Sequence, residues 1–227
     1  MSNQLQLFTD SDIHVQWISH SIAKPFIYEH HYLRGIGNNF SCFGAYQGNV
    51  LVGVVAFSIP CSERVRASVF GEEYKQNVVE LGRLCLLPTT TVPASKIVSK
   101  TIKEMVQYRI KKNLPQIHGI ISFADSGAGH HGGVYQSMSW LFCGEDYRKM
   151  TVYIDETGRV RHPRQNTVNI TLAEAKRKGW THRTSTTSKY RYIKILGTST
   201  QKKYFKSLLQ YQVLPYPKPS INNGQQQ

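Results

Sequence analysis

A chain of 227 residues, 40% hydrophobic and 19% charged, is globular in composition and long enough for one sizeable core with an appendage, or two small domains. No run approaches the ~18 apolar residues of a membrane helix, and the opening MSNQLQLFTDSD has neither the basic nor the apolar stretch of a secretion signal, so a cytoplasmic protein with no membrane partner is expected. The net charge of +14 is concentrated: residues 1–158 carry 14 Lys and Arg against 13 Asp and Glu, whereas residues 159–227 carry 14 against the single Glu174. Such one-sided charge repels itself and favours a polyanion, nucleic acid or an acidic surface; a solvated basic tail is the alternative. The cysteines at 42, 61, 85 and 143 form no C-x-x-C pair, which argues against a zinc ribbon and fits reduced thiols.

In chain order, residues 12–34 read as a helix interrupted near Pro25. Residues 40–46 and 50–59, rich in β-branched and aromatic side chains, flank Gln47-Gly48-Asn49 as a hairpin. The polar stretch 60–78 reads as a long loop, and 78–87 (VVELGRLCLL) as a strand closed by Pro88. A helix follows over 94–113, with Ile97, Val98, Ile102, Met105, Val106 and Ile110 on one face and Lys111 and Lys112 where the helix dipole favours cations. A strand is predicted at 117–124, a helix at 131–138 and a strand at 147–154. The basic remainder gives partial helix at 171–178, a strand at 190–196, a short helix at 201–210 and a disordered tail at 216–227.

Most informative is IISFADSGAGHHGGVYQSMSWLFCGE, residues 120–145. An apolar strand ends at Asp125, and glycines at 127, 129, 132 and 133 open a turn before a helix carrying Tyr135. Crowding Asp, His and Tyr at a strand-to-helix turn is how α/β enzymes place reactive groups at the C-terminal edge of a sheet. Asp125 there is positioned to take a proton or hold a metal, or only to cap the turn; Tyr135 to donate a proton, ligate iron, or pack as a core aromatic. Glu29-His30-His31-Tyr32 offers a carboxylate, imidazoles and a phenol that, with Asp125, have the chemistry of a 2-His/carboxylate iron site. Arg83, inside an apolar strand, needs an anionic partner; Glu80 lies three residues away, on the opposite face of an ideal strand, so a ligand phosphate, a carboxylate or the Asp125 side is favoured over an ion pair.

The order β-β-β-α-β-α-β, with Leu86-Leu87-Pro88 before the helix and Val134-Tyr135, Trp140 and Gly144 after it, resembles the Gcn5-related acyltransferases. The resemblance implies an α/β (α+β) fold with a mixed central sheet, an acyl-CoA pyrophosphate at the helix N-terminus near Leu87, Thr91 and Ser95, and a Tyr135 that protonates the departing thiolate. The loop TTTVPAS departs from that pattern, since it lacks the glycines that let backbone N–H groups approach phosphate. A narrower resemblance runs from about residue 25 to 218 through FIYEHHYLR, VLVGVVAF, NVVELGRLCL, SFADSGAGHHGGVYQ, KYRYIKILG and LPYPK: the chain looks like the Mom family of bacteriophage DNA modification proteins. That likeness implies an acyltransferase-like enzyme that carbamoylmethylates adenine N6 in double-stranded DNA, protects it from restriction, and is associated with iron. By family position His31 with Tyr32 is preferred; the expected metal set is then His31, Tyr32 and Asp125, and the expected catalytic set Asp125, Tyr135, Arg83 and His31.

The expected organisation is a catalytic core over 1–158, a basic DNA-binding region over 159–215 partly packed on it, and the tail. Lys176, Arg177, Lys178, Arg183, Lys189, Arg191, Lys202 and Lys203 are the expected DNA contacts, because basic groups hold phosphates irrespective of sequence. Trp180, Tyr190, Tyr192 and Tyr204 lie among them to stack on bases, although Tyr190 and Tyr192, two apart, equally suit the core face of a strand. The rival functions are a small-molecule N-acyltransferase and a non-catalytic DNA-binding protein on the same fold. An adenine methyltransferase is disfavoured, since no D/N-P-P-aromatic tetrad occurs.

Overall fold

The computed structural model describes residues 13–32, 34–36, 39–60, 62–126, 129–161 and 170–218. It is built on one mixed sheet of eight strands in the order β1-β2-β3-β4-β5-β8-β6-β7. The strands are β1 (Ile13–Ile18), β2 (Asn39–Gln47), β3 (Val50–Ser58), β4 (Val78–Leu86), β5 (Gly119–Asp125), β6 (Leu141–Ile154), β7 (Val160–Arg161) and β8 (Thr181–Ile195). Every neighbouring pair is antiparallel except β4 and β5. That parallel step needs a crossover, supplied by α3 (Ala94–Lys111), whose Ile97, Val98, Ile102 and Met105 are buried on the sheet as their spacing predicts. The β-β-β-α-β-α-β order is therefore present, as expected of a Gcn5-related core, with one helix inserted between its second and third strands, one strand before it and two after it.

The preceding strand corrects the expected helix over 12–34. Ile13-Val15-Trp17 alternates with polar residues, and β1 pairs antiparallel with β2 from Ile13↔Gln47 to Ile18↔Cys42, covering an edge that would otherwise stand open. The helix begins only at α1 (His20–His30), and Pro25 stands inside it without ending it. Pro25 and Ser21 are both exposed, so the carbonyl that loses its helical partner faces water. The expected loop at 60–78 contains α2 (Glu63–Phe70), capped by the Ser62 side chain, and a 3-10 turn over Glu72–Asn77.

Alternation along β5 divides the core. Ile120 and Ala124 face one layer with α3 and α4 (Gly133–Ser137), where Tyr135, Trp140 and Tyr192 are also buried. Ile121 and Phe123 face the other, with Val69 and Phe70 of α2 and Phe205 of α6 (Ser199–Ser207). A third cluster, Ala23 and Ile27 with Cys42, Val54 and Ala56, seats α1.

The basic region is no appendage to this core. β8 lies between β5 and β6, pairing from Gly119↔Ile195 to Asp125↔Lys189 on one side and with β6 on the other. A boundary at 158 thus cuts through the sheet, and β8 is 15 residues long rather than the expected seven at 190–196. The helix expected at 171–178 is α5 (Leu172–Arg177), begun by a Thr171–Glu174 capping box. At the end of the described chain, Leu214 bridges to Phe142 and the Tyr216 hydroxyl donates to the Trp140 carbonyl at 2.9 Å, so the first residue of the expected tail is tied to the core; residues 219–227 lie outside the described residues. Among the described residues, no helix is long and apolar enough to cross a membrane.

Candidate active site

The parallel strands stay together only briefly. Val78–Glu80 pair with Gly119–Ile121, and beyond that point β4 follows β3 while β5 follows β8. The gap is a cleft of about 820 Å³, walled by residues 81–86 of β4 and 123–125 of β5. The end of α1 supplies His30, His31 and Tyr32, and the turn before α4 supplies His130 and His131. The expected set of His31, Tyr32, Arg83, Asp125 and Tyr135 therefore lines one cavity, although it comes from four separate segments.

A bulge explains what the sequence reading missed on β4. Ala56 pairs with Arg83 but Phe57 pairs with Leu81, leaving Gly82 as an extra residue. One inserted residue reverses the alternation, so Glu80 and Arg83 line the same cleft rather than opposite faces. Arg83 is half-buried; its Nε donates to the Gly35 carbonyl at 2.7 Å and one Nη to the Gly82 carbonyl at 2.6 Å. Those bonds use two of five guanidinium donors. Burial lowers its pKa, while Tyr32 and Glu80 raise it.

His31 closes α1, its N–H donating to the Ile27 carbonyl, and its ring stacks on Tyr32 at 4.6 Å between centroids. Burial first, then the Arg83 guanidinium and the neighbouring His130, lower its pKa to about 4, so at neutral pH the imidazole is neutral with a lone pair. Tyr32 also meets the His130 ring at 5.6 Å. Burial and the Asp125 carboxylate hold its phenol above the usual range. Among the described residues, no three His, Cys, Asp or Glu side chains gather as a metal-holding group; an iron here would need the Tyr32 phenol as a ligand beside His31 and Asp125.

Tyr135 is buried between Trp140 and Tyr192, with ring centroids 4.9 and 5.2 Å away. Burial pushes its phenol up to about 12, so it stays protonated at neutral pH. Ser122 Oγ lies 2.7 Å from the Tyr135 hydroxyl and 2.9 Å from the Leu81 carbonyl oxygen. Ser122 has one proton to give. When it serves Leu81, the phenol donates to Ser122; when it serves Tyr135, the phenolic proton is available to the cleft. Ser122 was legible as a polar residue on the buried face between Ile120 and Ala124.

The turn is held through its backbone. The Tyr192 hydroxyl donates to the His131 carbonyl at 2.7 Å, and Gln136 donates to the same carbonyl and to Tyr192, each at 3.0 Å. Gly132 has φ +81°, and a Cβ there would stand 2.2 Å from the Tyr192 ring. Tyr192 is thus a core residue that fixes the turn, not a stacking platform.

Other expected residues lie elsewhere. Leu87 donates to the Val52 carbonyl, the Thr91 hydroxyl accepts from Gln47 at 3.0 Å, and Ser95 lies in the first turn of α3 behind Pro93. None lines the cleft, whose β4 wall ends at Leu86. Of the expected DNA contacts, Lys176, Arg177, Lys178, Arg183, Lys202 and Lys203 are exposed. Lys189 instead lines the cleft, in register between Asp125 and Asp146. Arg191 is committed internally: it lies 4.3 Å over the Tyr211 ring, donates to the Cys143 carbonyl at 3.0 Å, and approaches Asp146 at 3.9 Å.

Solved structures similar to this chain include an IAA acetyltransferase from Bacillus cereus ATCC 14579 (11% identity, 81% of this chain and 99% of that one, TM-score 0.44). Others are Arabidopsis thaliana NAA60 in complex with acetyl-CoA (14%, 81% and 99%, TM-score 0.46) and a mutant spermidine N-acetyltransferase SpeG from Vibrio cholerae (11%, 86% and 96%, TM-score 0.45). No curated protein matches the chain. The Mom protein family matches it over residues 12–218, spanning both cleft walls and β8, and the chain belongs to that family.

Proposed function

We propose that this protein modifies the N6 amine of adenine in double-stranded DNA with a carbamoylmethyl-type group, and so protects that DNA from restriction. The observation that carries this reading is the cleft in the opened sheet, with a carboxylate and a protonated phenol on its β5 side, in a member of the Mom family. The N6 lone pair is shared with the ring, so the amine needs a base, and an enclosed cleft needs the nucleotide extruded from the duplex, at about a few kcal/mol. Asp125 takes the N6 proton as the bond from nitrogen to the transferred carbon forms. The bond from that carbon to its leaving group breaks, and Tyr135 gives the departing group a proton. Arg83 and Lys189 supply positive charge for an anionic donor or a DNA phosphate. Leu87, Thr91 and Ser95, expected to hold an acyl-CoA-type donor, lie outside the cleft and are given no part in the step. Iron is a separate part of the proposal, held by His31, Tyr32 and Asp125, where it would supply Lewis-acid or redox chemistry.

The test is nucleoside mass spectrometry of DNA from bacteria expressing the protein. A heavier deoxyadenosine and resistance to restriction enzymes with adenine in their sites are expected, both lost in Asp125→Ala. Unchanged nucleosides with soluble wild-type protein would refute the proposal. Metal analysis of purified wild type and His31→Ala tests the iron: equal content in both removes His31 from the ligands.

A further inference from the structure

Beyond the cleft the sheet narrows to two strands. β5 ends at Asp125↔Lys189, but β6 and β8 go on pairing from Tyr147↔Ser188 to Ile154↔Thr181. Among the described residues, only the two-residue β7 joins them, at Tyr153 and Ile154. Eight pairs at ~3.3 Å per residue make an arm about 26 Å long. A lone two-stranded ribbon is marginal in water. This one is secured at its far end, where Val152, Tyr153 and Ala175 of α5 are buried outside the three core clusters.

The arm is strongly basic in sequence. Residues 147–189 hold ten Lys and Arg against Asp155, Glu156 and Glu174. All three acids are engaged within the tip. Asp155 accepts from Thr157, from the Arg159 N–H and from Arg161 at 2.7 Å, which keeps its carboxyl well below the usual range. Glu156 accepts from the Trp180 indole at 2.6 Å, and Glu174 closes the capping box of α5. Lys176, Lys178 and Arg183 are left on the exposed surface of the tip and ribbon.

We infer that the β6–β8 ribbon is the element that enters DNA, lying in the major groove of a duplex with the α5 tip on the flanking phosphates. The inference rests on the DNA reading above. Two strands ~4.8 Å apart with their side chains fit a groove ~12 Å wide and not one ~6 Å wide. The same strand that forms the ribbon reaches the cleft at Lys189, so a ribbon seated in the groove brings the neighbouring base to the cleft mouth. The basic α6 carries Lys202 and Lys203 on a separate element whose Phe205 packs on Phe70.

The experiment measures full-chain binding to a 30-base-pair duplex (roughly three helical turns) by fluorescence anisotropy across a salt series. Lys176→Gln/Lys178→Gln/Arg183→Gln should lose on the order of tenfold or more in affinity and lower the salt slope by about 2–3. Lys111→Gln/Lys112→Gln, a pair of exposed lysines at the end of α3, should bind as wild type does. Methyl green, a major-groove ligand, should compete, and distamycin, a minor-groove ligand, should not. If wild type binds duplex but the triple variant binds equally well, or only distamycin competes, the ribbon inference fails and the DNA reading stands. If wild type fails to bind duplex at all, the DNA reading itself falls.

Discussion

Gly132→Ala should be the most damaging single-methyl change at the site, and its cost follows from two separate terms. The backbone at Gly132 is left-handed, with φ +81°. An L-residue there costs about 1–2 kcal/mol. The new Cβ also stands 2.2 and 2.6 Å from two ring carbons of Tyr192 and 2.8 Å from its hydroxyl oxygen. That ring is fully buried and fixed by its bonds to His131 and Gln136, so it has no open side to swing into. Overpacking of this kind costs about 1–3 kcal/mol. Together they amount to about 2–5 kcal/mol, which for a chain of this size lowers Tm by roughly 5–15 °C. Gly129→Ala is the control: its φ is +76°, but a Cβ there meets nothing within 4 Å. It should lose only the backbone part, about 1–2 kcal/mol. Thermal and urea unfolding of both variants give the difference, which is the Tyr192 contact alone. Equal destabilisation of the two would refute the argument that Tyr192 fixes the turn.

Tyr135→Phe should lower modification of DNA by roughly 10²-fold while changing stability by about 1 kcal/mol, measured as modified deoxyadenosine and as Tm; unchanged turnover would leave the tyrosine a packed aromatic. His31 gives a pH signature. Its folded pKa of about 4 lies below the 6.5 of the unfolded chain, so the stabilisation is complete above about 6.5 and is lost as pH falls towards 4. With the ring partly exposed, the loss is about 1–2 kcal/mol. It should be absent from chelator-treated His31→Asn, and parallel pH–stability curves for the two proteins would contradict the assignment. Arg191→Gln should cost about 2–3 kcal/mol of stability through its lost hydrogen bond and stacking yet leave duplex affinity within twofold of wild type; the reverse pattern would return Arg191 to the DNA-binding set.

Local chemistry explains why parts of this fold were legible in sequence. The Gln47-Gly48-Asn49 hairpin, the one-faced helix α3 and the glycine turn after Asp125 each rest on neighbours in the chain. The contents of the cleft were legible for the same reason, since Asp125, Tyr135 and His31 sit at element ends marked by glycine or by helix termination. What failed depended on partners distant in sequence. Residues 13–18 became a strand because β2 offered them an edge. Glu80 joined Arg83 because of a bulge set by the register with β3. Arg191 looked like any other cation of the basic third, until Tyr211, Cys143 and Asp146 surrounded it. The glycine-free turn at 89–95 remains a departure from the acyltransferase pattern, and Leu87, Thr91 and Ser95 lie beyond the cleft.

The place of β8 sets the order in which this protein is completed on the ribosome. Residues 78–161 emerge first, so β5 and β6 each wait with an open edge until residues 181–195 arrive to lie between them. Until then no wall holds Asp125 against Lys189, and Tyr192 is not yet present to fix the turn that carries the histidines. A nascent chain stopped near residue 158 thus exposes two unpaired strand edges, a template for aggregation. The cleft is for this reason the last part of the molecule to be completed: the strand that reaches outward as the basic ribbon is the one whose arrival closes the cleft wall. Truncation at the compositional boundary would remove activity by unmaking the sheet, whatever it did to charge.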